Sequence, residues 1–261
     1  MKWMLECTMG CPSTFETRRA ELATLKLIEP NLITDDAVTA SFLESVDPKG
    51  DDAWMLEYVK LGNFMLLFGD SLFLHGGLST PSLGHVPGAP DVTDDPDEVD
   101  AEEWCRGLNG WKDDMVRAYC KDPRGINHQP LLDYGVPNGN KGRTVVYSGH
   151  VVHGNCAAPD VGVEEFCEVN NIRRVLLGHT PHGECPSVIK RPSTTIFMCD
   201  TSRSDNDGNK AMNPSNFRGV AVTMVTVKRD VTRVEGVLKD GGEKNGGGGG
   251  LSSNGVRGRL E

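Results

Sequence analysis

Three loops in this sequence place a histidine or an aspartate directly after a short apolar run: LFLHGG with His75, VLLGHTPHG with His179, and IFMCDTS with Asp200. A histidine at the end of a buried strand suits metal ligation. The strand fixes the ring, and adjacent glycine gives the backbone room and access to unusual dihedrals. An aspartate at such a point can orient a ligand histidine or close a turn. For each residue alone, a solvent-facing loop side chain without a ligand is the alternative. The recurrence of one arrangement at His75 and His179 is what raises a metal site.

A second feature is a repeated octet. GHVVHGNC (Gly149 to Cys156) and GHTPHGEC (Gly178 to Cys185) share the frame Gly-His-x-x-His-Gly-x-Cys, and each follows an apolar run. His150, His153, Cys156, His182 and Cys185 are compatible zinc donors, so a structural zinc site is one reading. Their spacing matches no standard finger. Coincidence, helped by shared strand-to-loop chemistry, is favoured over a true repeat. Cys7 and Cys11 read as a pair of thiols at a helix start.

The elements that must position these loops alternate between helix and strand. PSTFETRRAELATLK carries a capping box, with Ser13 and Glu16 as its partners. DDAWMLEYVKLG reads as a helix with acids in its first turn and Gly62 as its C-cap. FMLLF and SLFLH flank Gly69-Asp70 as a tight hairpin of buried strands. AEEWCRGLNGWKDDMVRAYC reads as a helix despite two glycines. TVVYS reads as a strand. VEEFCEVNN followed by RRVLLGH is an αβ unit, and TTIFMCD, RGVAVTMVTV and TRVEGVLK supply further strands. The fold class is α/β. An acidic loop covers residues 86–103. The Gly-rich segment 241–261 is expected to be a disordered tail.

Composition narrows the function classes. The chain has 261 residues, 38% hydrophobic and 25% charged, which is enough for a sizeable core. The net charge of -10 argues against a general affinity for nucleic acid or anionic membrane. A bound metal ion would still permit an anionic substrate. No apolar run reaches the roughly 18 residues of a membrane span. The opening MKWMLECTMGC is too polar for a secretory signal, so the eight cysteines are expected to be reduced thiols and the location cytoplasmic.

LFLHGGLS together with VEEFCEVNNIRRVLLGHTP resembles the HGG and GHT segments of the calcineurin-like metallophosphoesterases. KWMLE with FETRRAEL is similar to a helical segment of the same superfamily, and the likeness covers roughly residues 1 to 205. The resemblance implies that His75 and His179 bind a dinuclear centre of Mn, Fe or Zn. In that family the two ions lie about 3.5–4 Å apart and activate a shared water for in-line attack on phosphate. It also implies a phosphorylated small molecule or protein as substrate. Asp200 would act from behind a ligand histidine. Arg106, in WCRGLNGW, is a candidate for contact with phosphate or a surface helix residue.

The resemblance is incomplete. The family's D-x-H, G-D-x-x-D-x-G and G-N-H-[DE] motifs precede HGG, and none occurs in residues 1 to 74. GINHQ (Gly125 to Gln129) lacks the acid and lies after HGG. Residues 1–240 are therefore read as the C-terminal part of such a domain, with a missing N-terminal half as the partner the gap implies. A non-catalytic remnant that keeps the fold without the metals is the alternative. The resemblance implies an α+β sandwich of two sheets with flanking helices, incomplete at its N-terminus; one sheet would then be largely absent and much apolar surface left uncovered.

Overall fold

Gly69 and Asp70 reverse the chain between two apolar runs in the computed structural model, which describes residues 1–7, 13–90, 95–183, 185–201, 221–229, 231–238 and 256–260. Strand β1 (Met65–Phe68) pairs antiparallel with β2 (Ser71–Leu74), with Phe68 opposite Ser71. Gly69 has a φ of 60°, the positive value that the first central residue of a two-residue hairpin turn needs. The expected hairpin is present, but only β2 is buried along most of its length. On β1, Leu66 is 51% and Phe68 76% exposed. The reason is position: β1 is an edge strand.

The main sheet has the order β1-β2-β5-β7-β6, where β5 is Arg174–Leu177, β6 is Ser187–Lys190 and β7 is Thr195–Met198. The central strands β2, β5 and β7 run parallel, and the edges β1 and β6 run antiparallel to their neighbours. This is a mixed α/β architecture. Parallel neighbours need a crossover, and the one from β2 to β5 includes helices α5 (Ala101–Lys121), α6 (Gln129–Tyr134) and α7 (Val161–Val169). Leu108 and Trp104 from α5 and Phe166 from α7 join Leu72, Val175 and Ile196 in one buried core. The Trp104 and Phe166 rings meet edge to face at 5.7 Å. Gly107 and Gly110 fall on the exposed side of α5, where they weaken the helix without opening the core.

The predicted αβ unit is α7 and β5. Asp160 caps α7 by accepting from the Val163 amide, and it is further held by Thr80. β5 is buried throughout, and its Arg174 pairs with Asp70 of the hairpin turn.

TVVYS is not a strand. Residues 145–147 form a turn, because their backbone groups find other partners. The Val145 carbonyl accepts from Gly76 and Gly77, and the Val145 amide donates to the Tyr134 hydroxyl. Thr144 takes the Val146 amide. Strands appear instead inside the first octet, as β3 (Val151–Val152) and β4 (Asn155–Cys156), turned by His153 and Gly154 at φ of 51° and 78°. Both central residues have positive φ, as a tight hairpin prefers.

β8 (Ala221–Val227) and β9 (Thr232–Leu238) pair antiparallel, as expected. β10 (Val256–Leu260) extends that sheet within the segment expected to be a disordered tail. Its alternation of Val256, Gly258 and Leu260 with Arg257 and Arg259 is the period-two pattern of a strand. Residues 241–255 lie outside the described residues, as do 91–94 of the acidic loop. The last residues of that loop, from Ala101, already belong to α5.

The chain falls into two compact units, residues 1–62 with 113–128 and residues 63–112 with 129–261. The first unit holds α1 (Lys2–Cys7), α2 (Thr14–Lys26), α3 (Asp35–Val46) and α4 (Trp54–Leu61). Its core is Phe15, Leu22, Ala23, Ile33 and Val38. α2 begins where expected, but the capping box is not formed: the Ser13 side chain makes no cap bond, and its φ and ψ of −88° and 4° are not the extended ones a side-chain cap needs. Glu16 faces Arg19 instead. α4 ends at Gly62 as expected, with Gly62 extended rather than left-handed. Asp51 and Asp52 precede α4, and Glu57 is the acid in its first turn. Among the described residues, no helix is long and apolar enough to cross a membrane.

Candidate functional site

The three loops singled out by their residue types share one end of the sheet. His75 follows β2 directly, His179 stands two residues after β5, and Asp200 stands two residues after β7. These strands are parallel neighbours, so their carboxyl ends open on the same side, where α/β sheets present ligand-binding groups. The register makes the meeting close. Phe73 is opposite Leu176, and beyond the strands the Gly178 amide donates to the His75 carbonyl at 2.9 Å. The His75 and His179 rings come within 5.0 Å, centroid to centroid, tilted by 53°.

The glycines of HGG have a steric reason. A Cβ on Gly76 would lie 2.2 Å from the Val146 carbonyl oxygen, and one on Gly77 would lie 3.0 Å from that of Ser148. Only glycine lets the turn at 145–147 come down onto the strand end. That turn brings Tyr147, whose ring meets His179 edge to face at 4.5 Å. Tyr147 is hidden in the sequence, because TVVYS has the composition of a strand and Tyr147 stands as one of its alternating residues.

His179 itself has a φ of 65°, and the Thr180 amide donates back to the Gly178 carbonyl at 2.8 Å. A tight three-residue turn with positive φ at a side-chain-bearing residue is strained. Such strain persists where the surroundings hold it, and it clusters at functional sites. The imidazole is half-buried. Burial, and secondarily the neighbouring His75, push its pKa below the ordinary histidine value, while Asp200 pulls the other way. The neutral ring is the form that binds metal. Asp200 lies against this loop: its Cβ is 3.8 Å from where a Gly178 side chain would begin, and its carbonyl accepts from the His182 amide.

Arg106 is exposed on α5 and, among the described residues, shares no hydrogen bond, ion pair or ring contact with His75 or His179. His128 of GINHQ belongs to the other unit, packed edge to face on Tyr119.

Two imidazoles do not make a dinuclear centre. Two divalent ions need bridging and terminal carboxylates, yet among the described residues no three of His, Cys, Asp and Glu come together as a metal-holding group. The donors present do not fit a two-metal site. The proposed five-donor zinc set also fails to assemble. His153 is exposed in the β3–β4 turn, while His150 is buried with its Nε2 unpartnered. Within that set Cys156 and His182 meet, and among the described residues no three of its members come together around one point. The two octets differ in structure, since Pro181 stands where Val152 joins a strand and has no amide to pair.

No protein-family model matches this sequence, and searches of curated proteins and of solved structures likewise return no match.

Proposed function

We propose that the carboxyl end of the parallel strands is a partial metal site of a phosphoester hydrolase of the calcineurin-like kind. His75 and His179 act as two imidazole donors to one divalent ion of the Mn, Fe or Zn class, and Asp200 helps to orient the loop behind His179. The observation that carries this reading is the 5.0 Å approach of the two rings on adjacent parallel strands, each ring next to glycine. A metal so held would serve as a Lewis acid toward a phosphorylated small molecule or protein. What this chain's own residues supply is narrower. Gly76 and Gly77 let the Tyr147 turn close over the strand ends, Tyr147 packs against the His179 ring, and burial lowers the pKa of that ring, which favours the neutral form.

The carboxylates that a complete centre requires are not supplied by this donor pair. No hydrolytic step follows from the residues present. A non-catalytic remnant is the second reading, favoured by the lack of a third convergent ligand among the described residues. Hydrolysis of p-nitrophenyl phosphate by the purified chain, with and without Mn²⁺, tests the proposal. It expects at most feeble turnover that H75A and H179A abolish. Robust turnover that survives both substitutions contradicts it.

A further inference from the structure

Cys156, His182 and Met198 come from three different elements, and the Cys156 sulfur approaches both of the others. Cys156 ends β4, His182 lies in the loop after β5, and Met198 is the last residue of β7. The Cys156 Sγ is 3.9 Å from the Met198 Sδ, and 3.4 Å and 3.9 Å from the His182 Nδ1 and Nε2. A tetrahedral ion with bonds of about 2.3 Å to sulfur and about 2.0 Å to nitrogen holds its donors roughly 3.5–3.8 Å apart. The separations of both partners from the Cys156 sulfur lie within a few tenths of an ångström of that spacing.

We propose that these three side chains form a binding site for a soft, thiophilic cation of the Cu(I) class, separate from the His75–His179 pair. The donor chemistry makes the choice. A thiolate, an imidazole and a neutral thioether together suit Cu(I), whereas Mg, Ca and Mn favour oxygen donors. Met198 is fully buried and Cys156 exposed. The ion would therefore enter from solvent at Cys156 and rest against the core at Met198, and the Cys156 thiol gives up its proton as the ion binds.

The ring is held for this role. The Ser187 hydroxyl lies 2.7 Å from the His182 Nδ1 and the Asp200 carbonyl accepts from the His182 amide, leaving Nε2 for the ion. A hydrogen bond on the far nitrogen is the usual way a ligating imidazole is fixed. Gly183, with a φ of 74°, lets the loop turn so that Ser187 reaches the ring.

The test is an anaerobic Cu(I) titration of the full chain against a chromophoric Cu(I) chelator, with C156S, H182N, M198L and, as a control for the other thiols, C120S. The expected result is one tightly held Cu(I) per chain, weakened tenfold or more in C156S and H182N, measurably weakened in M198L and unchanged in C120S. X-ray absorption at the copper edge should show two sulfur donors and one nitrogen. M198L nearly conserves volume, and far-UV circular dichroism of each variant separates lost binding from lost folding. Equal Cu(I) binding by the wild type, C156S and M198L overturns the proposal, as does a copper edge without sulfur. H75A should leave this binding unchanged, so its outcome is distinct from that of the hydrolase reading.

Discussion

The His75 carbonyl accepts the Gly178 amide at 2.9 Å, so the backbone that carries one candidate ligand is bonded to the residue preceding the other, His179. Two parallel strands thereby fix the separation of two imidazoles before any ion arrives. The strain at His179 gives a first prediction. At a φ of 65° a side chain is unfavourable, and glycine is relieved of it. H179G and H179A both remove the ring, so their difference isolates the backbone. H179G should be the more stable of the two by about 1 kcal/mol in urea denaturation. Equal stability would mean that the turn is not strained.

Gly76 supports the site by absence of a side chain. The atom a Cβ would strike is the backbone carbonyl of Val146, which cannot rotate away. G76A should destabilise by about 2–3 kcal/mol, lowering the melting temperature by several degrees. An unchanged melting temperature would show that the Tyr147 turn does not rest on this strand end.

His150 makes stability depend on pH. Its ring is buried, which holds its pKa below the ordinary value, with Asp160 opposing. The folded state therefore binds fewer protons than the unfolded state near and below the unfolded value of 6.5. Stability is full above that value and is lost as pH falls through it toward the folded value. H150L also removes a buried Nε2 that has no hydrogen-bond partner. Its denaturation midpoint should vary less between pH 7.5 and pH 5 than that of the wild type. An identical pH profile would contradict this.

The edge strand β1 presents Phe68 to solvent. Exposed apolar edges template self-association, and a lysine there blocks it. F68K should lower light scattering in concentrated solution and change unfolding free energy by no more than about 0.5 kcal/mol. Undiminished scattering would place the sticky surface elsewhere.

What was legible in the sequence was local. The hairpin of β1 and β2 announces itself by two apolar runs around Gly69-Asp70, α7 and β5 by a change from helical to strand period, and β8 and β9 by adjacency. The positions of His75, His179 and Asp200 at strand ends followed from the same patterns. Features set by distant partners were hidden. TVVYS has the composition of a strand, but its amides and carbonyls are taken by Tyr134, Thr144 and the HGG turn. SVIK, which forms β6, is only four residues long and is half-exposed in alternation. The capping pair of Ser13 and Glu16 is correct in spacing, yet Glu16 faces Arg19 instead. The meeting of Cys156 with His182, 26 residues apart, joins the separate β3–β4 hairpin to the loop after β5, which no local pattern encodes.

The most direct test of the central claim is isothermal titration of Mn²⁺, an ion with little affinity for soft sulfur donors, into the wild type, H75A and H179A. The account predicts one weakly bound Mn²⁺ per chain, lost in each variant while the circular dichroism spectrum is retained. Mn²⁺ binding that is the same in all three proteins, or absent from the wild type, would contradict a metal site shared by His75 and His179.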